Sequence, residues 1–98
     1  MHDVICEAIR DCVLLEFEYE GLHRVVAPYC HGFTSNGEVL RAIQVRGGSR
    51  SRGLGFGKLW MLEKMRNLRR SSARFAPDDP HYNPNDSAMA QIHCRARR

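Results

Sequence analysis

The residues of this sequence best suited to chemistry are cations set beside an aromatic ring. In "RGGSRSRGLGFGKLW", Arg46 to Trp60, Arg50 and Arg52 sit among glycines and serines, and Lys58 and Trp60 close the stretch. Arginine presents a planar fork of donors that matches a phosphate, lysine a compact point charge, and tryptophan a face on which a base can stack. That chemistry is recognition of an anion, not bond-making. The spacing excludes the named phosphate loops: there is no G-x-x-x-x-G-K-[ST], and Gly53, Gly55 and Gly57 do not make a G-x-G-x-x-G that opens a helix. Two readings stand: a cationic loop that contacts an anionic polymer or nucleotide, or an ordinary long connection between strands.

Arg41 lies inside a strand with apolar neighbours, where a guanidinium needs a carboxylate or a ligand. Glu16, Glu18 or Glu38 across the sheet would satisfy it structurally. Lys58 and Lys64 flank Trp60 and would give a stacking platform with basic edges, unless the tryptophan belongs to the core. Arg66, Arg69, Arg70 and Arg74 form a second basic cluster; as a strand, it puts Arg70 and Arg74 on one face and Arg69 on the other.

Nucleophiles and metal ligands are less well arranged. Cys6 and Cys12 fall near the apolar side of the first segment, where a free thiol behaves as a small hydrophobe. Cys30-His31 and His93-Cys94 suggest a four-ligand zinc site, but neighbours in a strand point to opposite faces, so both members of each pair do not easily reach one metal. Structural thiols and no metal are expected. His31, His81 and His93 have no serine or cysteine in a telling context, and Asp78-Asp79 sit in a proline-rich loop. The sequence predicts a non-enzyme without a cofactor.

Around these residues the elements are legible. Val4, Ile5, Ala8, Ile9 and Cys12 recur with a 3.6-residue period, which predicts a helix over about 3–13. "LLEFEYEG" alternates strictly and predicts a half-buried strand ending at Gly21, with "LHRVVAPY" as its return strand. Asn36-Gly37 is a strong hairpin signal before the strand Glu38 to Arg46. A strand around Lys58–Leu62, a short helical turn at Glu63–Asn67 and a strand from Leu68 to Phe75 follow. A Pro/Asp-rich loop over 76–86 leads to a last strand at about 88–96. One helix followed by short strands over about 14–75 describes a single domain spanning 1–98: mainly β, a small barrel or sandwich, with the short chain favouring a curled barrel of five to six strands.

Charge is unevenly placed. Residues 1–45 hold seven acids against three bases, and 46–74 hold nine bases against Glu63 alone. Such segregation is the footprint of an anionic partner, or of a solvated surface. No apolar run approaches the ~18–20 residues that span a bilayer, and the acidic, amphipathic start does not read as a signal peptide. A cytoplasmic protein without membrane contact is expected.

The order "AIRDCVLLEFEYEG", "HRVVAPYCHGF", "LRAIQV" and "KLWMLEKM" resembles the WYL domain family over about residues 4–68. Glu38-Val39-Leu40 stands where the Trp-Tyr-Leu of that family is expected. Lys58, Trp60, Leu62, Lys64 and Met65 stand where it has Arg, Phe, Leu, Arg and Ile. This describes a divergent, stand-alone member without the helix-turn-helix that usually precedes a WYL domain. The resemblance implies an SH3-like or Sm-like barrel that binds a nucleotide or nucleic acid in a basic groove and, in transcription regulators, senses that ligand. Arg41, Arg50, Arg52, Lys58, Trp60 and Lys64 are the expected site, acting by phosphate neutralisation and base stacking. The alternative is a protein-interaction module or inhibitor that docks its basic face on an acidic partner, or pairs barrel edges in a homodimer.

Overall fold

The computed structural model describes residues 2–47, 58–80 and 82–96. The predicted helix is α1, His2–Asp11; its stripe buries Ile5, Ala8 and Ile9. Cys12, at φ 56°, takes the left-handed conformation that ends it. The chain turns directly into β1, Val13–Tyr19, where Leu15, Phe17 and Tyr19 point into the core and Glu16 and Glu18 point outward. Glu20 and Gly21, both at positive φ (53° and 79°), form the two-residue turn to β2, Leu22–Thr34. Ser35-Asn36 forms the next turn, with Thr34 paired to Gly37 at the start of β3, Gly37–Gly47.

Next among the described residues, β4 (Leu59–Met61) adds to β3, a 3-10 turn spans Leu62–Lys64, and β5 (Arg66–Arg74) returns to pair with β1. The final strand β6, Gln91–Arg95, starts later than the alternation suggests because Asp86–Met89 forms a turn, Met89 N–H bonding Asp86 O, after which Ala90 N–H reaches Phe33 O on β2. The strand order is β4-β3-β2-β1-β5, with β6 also on β2. The long β2 is the hub. It pairs with β3 along one edge, and on the other with β1 through Leu22–Val26 and with β6 through Cys30–Phe33.

The sheet curls, since β4 and β1 are far apart in strand order yet Trp60 packs edge-on against Phe17 and Tyr19 at 5.3 and 5.0 Å. It does not close into the expected barrel: β4 and β5 are joined by the 3-10 turn and share no ladder. The core between them holds Trp60, Phe17, Leu15, Leu40 and Val26, all essentially sealed from solvent. Each such side chain contributes about 1.5–3 kcal/mol.

The cysteines depart from expectation. Cys6 on α1 and Cys94 on β6 form a disulfide, because α1 packs on β6 and brings the two Cα atoms to 5.9 Å. Cys12 and Cys30 remain free thiols. Among the described residues no helix is long and apolar enough to cross a membrane.

Candidate functional site

Two groupings of polar side chains stand out. The first surrounds the β1–β2 hairpin. Tyr19 and Trp60 form an aromatic pair, and two cations sit over it: Lys58 Nζ is 4.7 Å from the Trp60 ring and 5.9 Å from Tyr19, and the Arg24 guanidinium is 5.4 and 5.7 Å away. Arg24 is 1% exposed, donates to Gln44 Oε1 and Tyr19 O, and lies 3.6 Å from Glu20. Its Nε has no partner among the described residues. Sequence reading passed over Arg24, although a charge within the apolar run "RVVAPY" was the available signal. Arg46 lies at the end of β3 opposite Val25, and Arg66 opens β5 opposite Glu18.

Of the expected site residues, Lys58 alone keeps the predicted setting beside Trp60. Trp60 is fully buried, and its Nε1–H donates to Ala42 O, so it offers no face to a base. Tyr19 and Tyr29 are buried as well. Lys64 is exposed in the 3-10 turn and does not sit over the Trp60 ring. The stacking platform is therefore absent from the described residues.

Arg41 is held by Asp86 through two bonds, Nε to Oδ2 at 2.7 Å and Nη2 to Oδ1 at 3.1 Å, with the side chains 13% and 9% exposed. Its partner is none of the glutamates anticipated but an aspartate from the loop that precedes β6. The Arg41 bond holds the Asp86 carboxyl below the usual carboxylate range despite burial, which opposes it; the Ala88 N–H adds to the lowering. Arg50 and Arg52 lie outside the described residues. In the second basic cluster, Arg69 faces Glu16 and Glu18, while Arg70 faces Glu7 and Asp11 on α1, so these two sit on opposite faces.

The second grouping lies where α1, β2 and β6 meet. Cys6, His31 and His93 place donor atoms within 4.8 Å of one another, and Cys94 is bonded to Cys6. His31 is fully buried and its Nε2 lies 2.6 Å from Glu38 Oε2.

These features define a small, helix-capped, curled antiparallel sheet with one cationic hairpin region and one Cys/His cluster. No family model, curated protein or solved structure matches the chain.

Proposed function

We propose that this chain is a non-enzymatic binding domain of the WYL type whose ligand is a nucleic acid or nucleotide, held by its phosphates around the β1–β2 hairpin. One observation carries the reading. Arg46, Lys58 and Arg66 have no carboxylate partner among the described residues, whereas Arg41, Arg69 and Arg70 are each tied to acids. Lys58 over the Tyr19–Trp60 pair holds a positive charge at this region, while the buried Arg24 on the same pair is balanced by Glu20 at 3.6 Å. With the candidate aromatics buried, affinity rests on charge, and the sequence adds Arg50 and Arg52 between β3 and β4.

Three phosphate contacts on a single strand correspond to a log–log salt slope of about −2, a loss of about 20-fold in affinity between 50 and 200 mM salt. Titration of short single-stranded RNA and DNA at those two concentrations tests this. Lys58→Ala with Arg66→Ala is expected to flatten the slope. Absence of binding at low salt sinks the reading. Recovery of one acidic protein after nuclease treatment, with no nucleic-acid binding, puts a protein-docking role in its place.

A further inference from the structure

We propose that the Cys6–Cys94 pair, in its dithiol state, joins His31 and His93 in a tetrahedral zinc site, so that this corner of the fold alternates between a disulfide and a bound metal. Three elements far apart in sequence supply the four side chains: α1 gives Cys6, β2 gives His31, and β6 gives His93 and Cys94. Alternation along β6 argues against adjacent residues sharing a site, but β6 is not regular here. His31 pairs with Cys94 while Gly32 pairs with Ile92, which leaves His93 as the extra residue of a β-bulge. A bulge re-aims its side chains, and this one sets the His93 ring against His31, while Cys94, opposite His31 in register, reaches the cluster through its bond to Cys6. Alternation does hold on β2, where Cys30 turns away to meet Met89 Sδ.

The distances suit a metal. Zinc bonds of ~2.0–2.3 Å place tetrahedral donors about 3.3–3.8 Å apart. The donors of Cys6, His31 and His93 lie within 4.8 Å of each other, so small side-chain adjustments reach that geometry once the sulfurs separate. The two imidazoles meet nearly perpendicular, at 85° and 5.2 Å between centroids, so they do not stack and can converge on one point.

A second observation concerns orientation. A carboxylate accepts hydrogen bonds, so the 2.6 Å contact with Glu38 assigns the proton to His31 Nε2. In the neutral ring the lone pair is then on Nδ1, the atom 4.0 Å from Cys6 Sγ. A carboxylate behind a histidine, fixing its tautomer and aiming its other nitrogen, is the support that metal-binding histidines use. Cys6, His93 and Cys94 also line an open cleft of about 780 Å³, which gives metal and reductant a way in.

The exchange balances as follows. One small thiol opens the Cys6–Cys94 bond to a mixed disulfide with one cysteine, and a second thiol cleaves that bond, leaving with the first as a small-molecule disulfide; together they supply two electrons and two protons. Zinc then displaces the two thiol protons, and two thiolates with two neutral imidazoles make a site of zero net charge around Zn²⁺. A two-electron oxidant re-forms the S–S bond and releases the metal. Two sulfurs and two nitrogens in a tetrahedron favour zinc over the harder divalent cations.

The test uses the whole chain, reduced in metal-free buffer and titrated with Co²⁺ as a spectroscopic stand-in for Zn²⁺. One Co²⁺ per chain is expected, with strong visible bands of a tetrahedral site and thiolate charge transfer in the ultraviolet, all displaced by Zn²⁺. Oxidised protein gives none of these. Glu38→Gln is expected to weaken affinity about 10–100-fold, and the solvent-exposed His93→Ala to change the band pattern with the circular dichroism unchanged. If reduction alone unfolds the chain, Zn²⁺ must restore the folded spectrum. No tetrahedral spectrum in the reduced protein overturns the proposal, as does one that survives both His93→Ala and Cys94→Ser, or failure of zinc to refold a reduced, unfolded chain.

Discussion

Arg41→Met should unfold this protein more readily than any loss of a surface charge. The substitution keeps most of the aliphatic stem but removes the guanidinium that makes both bonds to Asp86. Asp86, with its side chain 9% exposed, is then left with the Ala88 N–H on its Oδ1 and no cation in its place. Stranding one partner of a buried ion pair costs about 3–5 kcal/mol. In a domain of this size each kcal/mol moves Tm by about 4–8 °C, so a drop of at least about 12 °C is expected. Arg41→Met with Asp86→Leu should recover much of the loss, because an apolar replacement of both partners leaves no buried charge.

Acid titration supplies an independent check. The Asp86 carboxyl is held below its unfolded value chiefly by the Arg41 bond, so its stabilisation is present above the ordinary carboxylate range and is lost as pH falls through the folded pKa. Without Arg41, burial remains as the opposing influence, and the variant should lose this acid sensitivity. Urea melts of wild type and both variants from pH 7 down to about pH 3 measure all of this. A loss below about 1 kcal/mol for Arg41→Met, with the wild-type acid dependence intact, would refute the reasoning and return Arg41 to the list of ligand contacts.

Two further outcomes follow from the same region. The Cys30 thiol is pushed up to about 11, mainly by burial and further by Asp86, with Arg95 and Arg41 opposing. At pH 8 its thiolate fraction is then on the order of one in a thousand, and iodoacetamide should modify it only in urea; native labelling at the rate of an open thiol contradicts the packing. A Cβ on Gly32 would collide with Gln91 O and Met89 Sδ. Gly32→Ala is therefore expected to cost about 1–3 kcal/mol and to speed hydrogen exchange at Ile92 and Cys94, whereas unchanged stability means that β6 does not press on β2 this closely.

The local features of the fold were readable because they depend on neighbours in sequence. The stripe Ile5, Ala8, Ile9 and the alternation Leu15, Phe17, Tyr19 each report which face is buried. Glu20-Gly21 and Asn36-Gly37 mark hairpins, although the second turn forms on Ser35-Asn36 with Gly37 (φ 125°) opening β3. The site was harder to read because it depends on pairings that no local pattern encodes. Asp86 reaches Arg41 across 45 residues and Cys94 reaches Cys6 across 88. The His93 bulge breaks the period-two rule on which the face assignments rested. Trp60 carried a basic-aromatic rhythm in sequence, yet its indole donates to Ala42 O inside the core. A ring next to lysines reads the same whether it faces solvent or the interior.

The link between Cys6 and Cys94 also has a mechanical consequence. It closes a covalent ring around the sheet, with a sequence separation of 88 between its ends. A motor that grips one end of the chain and pulls, as processive proteases do, meets a loop that cannot be drawn out as a single thread. Load applied across Cys6 and Cys94 passes from sulfur to sulfur and bypasses the β2 ladders. Resistance to such pulling then depends on the redox state of one corner of the molecule as well as on the ladders of the sheet inside the ring.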